Sequence, residues 1–360
     1  MKIAMFHELP MGGARVAANN LGKYLKKDNT IDLYYVDSSE QVGEYINFSS
    51  VNYFHFDVRD TRSFVNRLLN DSMDYIKLYF LHKKIAASIK TKKYDLVFIH
   101  GSRFTQTPFI GRFLNLPKVY YCQETLRIVY EDHFKVAKDL NIIKYYYEII
   151  NRKIRKKIDL DNLKTIDLIL TNSKFTQDKI TNNYKKNSKV VYLGVNSYFF
   201  KPIALKKKYD FFFIGTKTKV NGYDILEKAL KLLSINIKGK YHVGKKWISD
   251  NELLKIYNQS KMVINLEYNQ PFGLIVLEAM SCSVPAIVLN DAAYKETVVN
   301  GENSFMINNP EELAEKINLI LSNEDLAKII GKNGRENVLK KWDWNVRIKE
   351  FNYIFEEFIR

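Results

Sequence analysis

The 360-residue sequence has few residues of the kinds that form disulfide bonds or metal sites. It contains two cysteines, Cys122 and Cys282, which lie far apart and in apolar surroundings. Cysteines in such positions are typical of buried free thiols, not of a disulfide framework or a metal site. The six histidines show no spacing typical of metal ligands. We therefore expect no metal ion and no other cofactor.

Long apolar runs are also lacking. No uninterrupted run approaches the roughly 20 residues that a membrane-spanning helix needs. The first seven residues predict a strand, because their apolar stretch is too short for a secretory signal. An apolar fraction of 46% and a charged fraction of 27% are typical of a soluble globular protein, and the length suffices for two domains. We therefore predict a cytoplasmic protein with two domains.

Acidic residues are scarce relative to basic ones, 40 against 56, which gives a formal net charge of +16. Such an excess favours a polyanionic partner. No nucleic-acid-binding module is recognisable, so nucleic acid is not expected. Residues 134–163 predict a long helix that combines tyrosines with a basic run from Arg152 to Lys157. Two interpretations stay open: a peripheral contact with an anionic membrane, or a lysine-rich surface that contacts only solvent.

One stretch, Asn265 to Leu289, predicts a complete βαβ unit. Its apolar and turn-forming residues indicate a strand at 262–266, a loop at 268–273, a helix at 274–281 and a strand at 286–289. The free backbone N–H groups at the start of such a helix form an anion site, here near Phe272, Gly273 and Leu274. Glu278 follows on the same helix, where a carboxylate can accept hydrogen bonds from a ribose diol. A nucleoside diphosphate is therefore the first candidate ligand.

The same stretch resembles the retaining glycosyltransferases of family 4. The residues that carry the resemblance are Gln270, Pro271, Phe272, Gly273, Leu274, Glu278, Ala279, Met280 and Pro285. The family has a carboxylate where this chain has Gln270. The resemblance extends over essentially the whole chain and is stronger in its second half.

The resemblance implies an α/β protein of the GT-B class, in which two Rossmann-like, doubly wound domains face a cleft. The first domain is expected to comprise residues 1–202 together with a C-terminal helix, 343–360, that crosses back to it. The second is expected to comprise residues 203–342 and to hold the nucleotide-sugar donor.

The resemblance also implies the site residues. Those expected to act in catalysis or to contact the sugar are Gln270 and Gln123. His100 is a further catalytic candidate because it ends a predicted strand at 95–100, where ligands of open sheets bind, and the alternative is a buried structural histidine. Those expected to bind the donor are Glu278, Phe272, Gly273, Leu274, Gly215, Thr216, Lys217, Lys219, Asn221, Gly12, Gly13 and Arg127. Gln123 replaces a family histidine, and Thr216 and Asn221 replace an arginine and a lysine that neutralise the diphosphate. Lys217 and Lys219 can supply that charge from the same loop.

The function implied is a hexosyltransferase-like enzyme that moves a sugar from a UDP- or GDP-sugar to an acceptor hydroxyl, with retention and without a metal. The acceptor is a glycan, a lipid-linked or a protein-linked molecule. Two alternatives remain because four family residues are replaced by neutral ones. One is a scaffold subunit with weakened catalysis, and the other is a nucleotide-sugar epimerase, which would need more acid and base residues.

Overall fold

The computed structural model describes most of the chain. It covers residues 1–40, 45, 48–57, 64–136, 140–233, 237–242 and 248–360, and for residues 64–70, 72 and 133 it describes only the backbone. The chain forms two compact units. The first contains Met1–Asn172, Thr176–Val191 and Glu350–Arg360, and the second contains Ser173–Phe175 and Tyr192–Lys349.

The first unit is built on a sheet of seven parallel strands. These are β1 (Lys2–Glu8), β2 (Thr30–Asp37), β3 (Ser50–His55), β4 (Leu96–Ser102), β5 (Lys118–Cys122), β6 (Leu168–Thr171) and β7 (Lys189–Val190). Their order across the sheet is β3-β2-β1-β4-β5-β6-β7. Every residue of β4 and β5 is buried, as expected for the middle of a parallel sheet that helices cover on both faces. The strands predicted at the chain start and at 95–100 are confirmed.

Among the described residues up to Val191, five segments form α-helices. They are α1 (Gly13–Leu25), α2 (Phe64–Lys90), α3 (Arg127–Tyr130), α4 (Ile142–Leu163) and α5 (Lys174–Tyr184), whose first two residues belong to the second unit. Apolar side chains from α2, α5 and the strands form one core, which includes Leu78, Ile85 and Ile180. Helix packing of this kind buries the apolar face of each helix against the sheet.

The helix predicted over residues 134–163 begins later than expected. Residues 132–134 form one short 3₁₀ turn, and α4 starts at Ile142. Asn141 has extended backbone angles, and its side-chain oxygen accepts a hydrogen bond from the N–H of Ile143 at 2.9 Å. This cap satisfies a backbone donor that the helix itself leaves unpaired, so the helix begins there. Residues 137–139 lie outside the described part of the chain.

The second unit is built on a sheet of five parallel strands. These are β8 (Tyr209–Ile214), β9 (Gly239–His242), β10 (Ser260–Asn265), β11 (Ala286–Leu289) and β12 (Phe305–Ile307). Their order is β12-β11-β10-β8-β9. The βαβ prediction for residues 262–289 is confirmed: β10 and β11 pair in parallel, and the helix between them spans the predicted residues, Leu274–Ser281.

The helices of the second unit follow the strands in alternation. They are α6 (Tyr223–Leu232), α7 (Asp250–Gln259), α8 (Leu274–Ser281), α9 (Tyr294–Thr297), α10 (Pro310–Ser322) and α11 (Glu324–Asn337). The last helix, α12 (Trp344–Ile359), begins in the second unit and belongs to the first unit from Glu350 onward. Nowhere in the described part of the chain is there a helix with the length and apolarity needed to cross a membrane.

The strand orders define where a ligand can bind in each unit. In an open parallel sheet, ligands bind outside the carboxyl ends of the strands, at the point where the chain reverses its direction of winding. That point lies between β1 and β4 in the first sheet and between β8 and β10 in the second. The loops that follow β8 and β10 therefore border the crevice of the second unit.

Candidate functional site

Helix α8 presents its N-terminus at the crevice of the second sheet. Gly273 precedes the helix in a left-handed conformation, with φ of 87°, and a Cβ at this position would lie 3.1 Å from the ring of Tyr294. Glycine is favoured here because it alone adopts this angle without strain. The N–H of Val276 already donates to the carbonyl of Gly273 at 3.1 Å. The N–H groups of Leu274 and Ile275 precede the first bond of the helix, which makes them donors for an anion.

Phe272 contributes to this site through its backbone only. Its side chain is 3% exposed and packs against the rings of Tyr192 and Trp342, with centroids 6.2 and 5.7 Å away. The side chain therefore belongs to the core of the second unit. Packing of this ring fixes the chain just before the helix, so the N–H groups that follow it are held in place.

Glu278 lies one turn into α8 and is partly buried. Its Oε2 accepts a hydrogen bond of 2.8 Å from the hydroxyl of Tyr257, which is fully buried on α7. Burial raises the pKa of Glu278 to about 8, the charge of Asp250 adds to this, and the Tyr257 hydrogen bond opposes it. In most molecules the Glu278 carboxyl is therefore protonated at neutral pH. A protonated carboxyl offers one donor and one acceptor to a diol, whereas a carboxylate offers acceptors only.

The loop after β8 carries the other donor-site residues predicted in the second unit. Asn221 holds this loop together, because its Oδ1 accepts hydrogen bonds from the backbone N–H of Thr216 at 2.9 Å and from both threonine hydroxyls, Thr216 and Thr218. Lys217 and Lys219 lie on the same loop and are exposed to solvent. The ammonium group of Lys217 also lies 5.5 Å from the ring centroid of Tyr223.

The loops after β8 and β10 pack directly on each other. The backbone N–H of Tyr268 donates to the carbonyl of Val220 at 2.8 Å. Gly222 has a φ of 64°, and a Cβ there would lie 2.5 Å from the carbonyl oxygen of Leu266. Gly215, at the start of the first loop, would place a Cβ 3.1 Å from the side chain of Asn221. The predicted residues Gly215, Thr216, Lys217, Lys219 and Asn221 are thus brought next to the loop that leads to α8.

The loop after β10 carries a polar cluster around Gln270. The Gln270 Nε2 donates to Oε2 of Glu267 at 3.2 Å, and its backbone carbonyl accepts from the N–H of Ala293. The hydroxyl of Tyr294 donates to Oδ1 of Asn265, the last residue of β10, at 2.6 Å. Gln270 therefore lies in the same loop as the donor-site backbone, beside a carboxylate.

The predicted site residues of the first unit lie at the carboxyl ends of its strands. Gln123 follows β5, and its Nε2 donates to the carbonyl of Ala14, in the first turn of α1, at 3.1 Å. Gly12 and Gly13 open that helix, and a Cβ at either would have no neighbour within 4 Å. Gln123 and the glycine loop are therefore neighbours.

Arg127 forms an ion pair with Glu131 at 3.0 Å and lies over the ring of Phe134.

His100 occupies a different environment from the other predicted residues. It is fully buried, with the rings of Phe98 and Tyr121 at 4.6 and 5.8 Å between centroids. Burial lowers its pKa to about 3, so the ring is neutral at physiological pH. The side chain does not reach the protein surface, which argues against contact with a substrate.

The sequence-based prediction missed three residues of the candidate site: Glu267, Tyr257 and Tyr294. The available sequence feature for Glu267 is its position two residues beyond a buried strand. Tyr257 and Tyr294 lie in helices that touch α8 and its loop only in three dimensions, so no local pattern indicates them. In the described part of the chain, no three His, Cys, Asp or Glu side chains form a group able to hold a metal ion.

Two family models match this chain. The model described as Glycosyltransferase Family 4 matches residues 11–198, more than half of the 360 residues. The model described as Glycosyl transferases group 1 matches residues 241–337, which include the loop after β10 and α8.

Several relatives are similar in sequence. An uncharacterized glycosyltransferase of Methanocaldococcus jannaschii is 30% identical over 53% of this chain and 60% of its own length. The capsular polysaccharide biosynthesis glycosyltransferase CapM of Staphylococcus aureus is 30% identical over 30% of this chain and 29% of its own length. The chain thus matches less than two thirds of either relative.

Solved structures of similar fold cover almost the whole chain. HepE of Anabaena, solved in complex with UDP and glucose, superposes with a TM-score of 0.73 at 14% identity over 99% of this chain and all of its own. Sucrose-phosphate synthase of Thermosynechococcus elongatus gives a TM-score of 0.71 at 15% identity over 99% of this chain and 98% of its own. At this level of identity the likeness concerns the fold.

Proposed function

The chain belongs to glycosyltransferase family 4 and has the GT-B fold, as the sequence predicts; from this premise we propose that it transfers a sugar from a nucleoside diphosphate to an acceptor hydroxyl. The observation that carries the proposal is the crevice between β8 and β10. The loop that leads to α8, the helix that carries Glu278, packs on the loop after β8 that carries the exposed Lys217 and Lys219, and both loops follow strands that flank this crevice.

The donor would bind with its diphosphate at the start of α8 and its ribose at Glu278. The helix N-terminus and two lysines oppose the charge that develops on the diphosphate as the bond to the sugar breaks. Neutralisation of the diphosphate in this way needs no metal ion, since the positive charge comes from the helix N-terminus and the lysines. HepE was solved with UDP and with UDP-glucose, which supports UDP-sugars as the first donors to test, with GDP-sugars next. Transfer would proceed with retention, as the family motif implies.

A surface of the first unit supports a lipid-linked acceptor at an anionic membrane. Helix α4 exposes an apolar stripe whose residues are spaced about one helical turn apart. They are Ile142, Tyr146, Ile150 and Ile154, which are 66, 58, 55 and 44% exposed. Helix α2 adds the exposed side chains of Met73, Ile76 and Phe80. A cavity of about 590 Å³ lies along the α4 stripe. Exposed apolar stripes of this kind are typical of helices that lie in a bilayer interface.

Lysines adjoin this apolar stripe. We call the stripe and these lysines together the α4 surface. A second cavity, of about 460 Å³, is lined by five of them: Lys153, Lys156, Lys157, Lys164 and Lys186. Asp161 is an acidic residue of the same lining and pairs with Lys164 at 2.8 Å. Apolar side chains that enter a bilayer beside lysines that meet anionic headgroups are the complementary pattern for a membrane surface. We therefore favour membrane contact over a surface that contacts only solvent.

The donor assignment is tested by nucleotide binding to Glu278→Ala. We expect UDP or UDP-glucose to raise the melting temperature of the wild type, because a ligand of the folded state stabilises it. Glu278→Ala should bind the same nucleotide at least about tenfold more weakly, through loss of the ribose contact. Glu302→Ala, which removes an exposed carboxylate elsewhere in the second unit, is the matched control. Unchanged nucleotide affinity in Glu278→Ala would contradict the assignment.

Turnover distinguishes the enzyme from its two alternatives. The protein is incubated with a panel of UDP- and GDP-sugars, with and without a lipid-phosphate acceptor, and free nucleotide is measured. Acceptor-dependent release supports sugar transfer. Absence of release with every donor would favour a scaffold subunit. An altered sugar that stays attached to its nucleotide would favour an epimerase.

A further inference from the structure

Glu267 lies where the loop after β10 enters the crevice of the second unit. Asn265 ends the strand, and Glu267 follows two residues later, partly exposed. Its Oε2 accepts a hydrogen bond from the Nε2 of Gln270 at 3.2 Å. The carboxylate and the amide thus form one unit on the segment that leads to the N-terminus of α8.

The neighbours of Glu267 hold this segment against the rest of the crevice. The next residue, Tyr268, donates its backbone N–H to Val220 at 2.8 Å, which ties the segment to the loop after β8. On the other side, Tyr294 donates to Asn265 at 2.6 Å. Burial, and next the negative charge of Glu267, raise the pKa of Tyr294 well above its ordinary value. Glu267 is therefore a partly exposed carboxylate on a segment that hydrogen bonds on both sides hold in place, in the loop that leads to the N-terminus of α8.

The contact between Glu267 and Gln270 also determines how the amide is oriented. A carboxylate can only accept hydrogen bonds, so the amide must turn its NH₂ group toward Glu267. The amide oxygen of Gln270 then faces away from the carboxylate. Together the two side chains give an array of acceptors, which suits the hydroxyl groups of a sugar, and a single negative charge.

That charge has a use in the reaction. When the bond from the anomeric carbon to the diphosphate breaks, positive charge develops on the sugar ring. A carboxylate fixed nearby stabilises this charge, whereas the neutral amide of Gln270 does so only weakly. The two lysines of the loop after β8 suit the opposite end of the bond, where negative charge develops.

Building on the proposed donor site, we propose that Glu267 is the acidic residue of the donor-sugar subsite. Its carboxylate, together with the Gln270 amide that it orients, accepts hydrogen bonds from the sugar hydroxyls and supplies the negative charge beside the anomeric carbon. The charge of the subsite thus comes from position 267, and Gln270 serves as its neutral partner.

The test compares Glu267→Gln, Gln270→Glu and the exchange variant that carries both substitutions. The donor is the UDP- or GDP-sugar that the wild type uses, and each variant is assayed for turnover and for binding of free UDP or GDP. We expect Glu267→Gln to lower kcat about 100- to 1,000-fold, the range seen when one group that stabilises transition-state charge is removed. Affinity for the free nucleoside diphosphate should stay within about twofold, because that ligand has no sugar. The exchange variant should recover most of the loss, since it returns a carboxylate to the subsite.

Glu302→Gln is the matched control, and melting temperatures verify that each variant is folded. Turnover of Glu267→Gln within about twofold of the wild type would overturn the proposal, as would an equal loss of kcat in the exchange variant. Weakened binding of free UDP or GDP by Glu267→Gln would overturn it as well, because the residue would then act on the nucleotide. A wild type that binds no nucleoside diphosphate would instead refute the donor site on which the proposal rests.

Discussion

At the scale of single residues, the proposed donor site depends on groups whose environment differs from water. Glu278 is partly buried, and its carboxyl accepts a hydrogen bond of 2.8 Å from the buried hydroxyl of Tyr257. A carboxyl in this position is easier to keep protonated than in an unfolded chain, because burial disfavours its charged form. The hydrogen-bonding character of Glu278 is therefore set by its surroundings as well as by its residue type.

This environment predicts a dependence of stability on pH. The pKa of Glu278 is about 8 in the folded protein, against an ordinary value of 4.5. The protonated form is favoured by folding, so its stabilising contribution is complete below about pH 4.5 and is lost as the pH rises through 8. Relative to Glu278→Gln, which does not titrate, the wild type should lose roughly 2 kcal/mol of unfolding free energy between pH 5 and 9. Urea unfolding of both proteins across this range measures the difference, and parallel pH profiles would contradict it.

At the scale of elements, the crevice exists because two loops after neighbouring strands touch. Gly222 closes the loop after β8 in a left-handed conformation, with Leu266 of the other loop against its α-carbon. The loop after β8 contains only one short 3₁₀ turn, Lys219–Asn221, in its described residues, so this contact and the hydrogen bond from Tyr268 to Val220 define the separation of the two loops. The distance between the lysines of one loop and α8 follows from that packing.

Substitution of Gly222 should expose the importance of this contact. Gly222→Ala adds a Cβ that meets the Leu266 backbone, while Gly301→Ala adds one at a similar φ of 77° with no neighbour within 4 Å. Gly301→Ala should cost about 1 kcal/mol for the left-handed backbone alone. Gly222→Ala should cost about 2 kcal/mol more, because the two loops must move apart. Equal losses in chemical unfolding would mean that the loops separate freely.

At the scale of the whole molecule, the net charge of +16 is partly concentrated in one place. The lysines that line the smaller cavity stand beside the apolar stripe of α4. Charge spread evenly over a surface mainly aids solubility, but charge beside exposed apolar side chains favours an anionic bilayer. Contact with an anionic membrane would therefore explain both the excess of basic over acidic residues and the exposure of isoleucines on α4.

Vesicle binding tests this explanation. We expect the protein to cosediment with vesicles that contain phosphatidylglycerol and to bind phosphatidylcholine vesicles weakly. Binding should fall as salt rises from about 0.1 M to 1 M, since the screening length shortens from about 10 Å to 3 Å. Lys153→Glu combined with Lys157→Glu should weaken binding at least about tenfold.

Ile142→Ser combined with Ile150→Ser should weaken vesicle binding through loss of apolar contact. The matched controls are Lys332→Glu and Ile329→Ser on α11, which change exposed residues of the other unit. Equal binding by the α4 variants and these controls would contradict a specific role for the α4 surface. Salt-independent binding would contradict its electrostatic part.

The sequence by itself determined the position of the βαβ unit around α8, through the periodicity of apolar residues and through turn chemistry, which are local and can be seen in one stretch of chain. The fold class came from the resemblance of that stretch to family 4. The start of α4 escaped prediction because one asparagine cap outweighed a continuous helical pattern. A cap acts through one hydrogen bond, which composition over a window does not show.

Only the tertiary structure decided the surroundings of each site residue. His100 lies within β4, which continues to Ser102 instead of ending at residue 100, and it is enclosed by aromatic rings from its own strand and the neighbouring one. Burial beside α7 raises the pKa of Glu278, and the loop conformation places the Glu267 carboxylate beside the Gln270 amide. The burial of His100 and Glu278 depends on residues distant in sequence, and the contact with Glu267 depends on a loop conformation that packing fixes. The chain therefore encodes where the site is through local pattern, and how its groups ionise and pair through long-range packing.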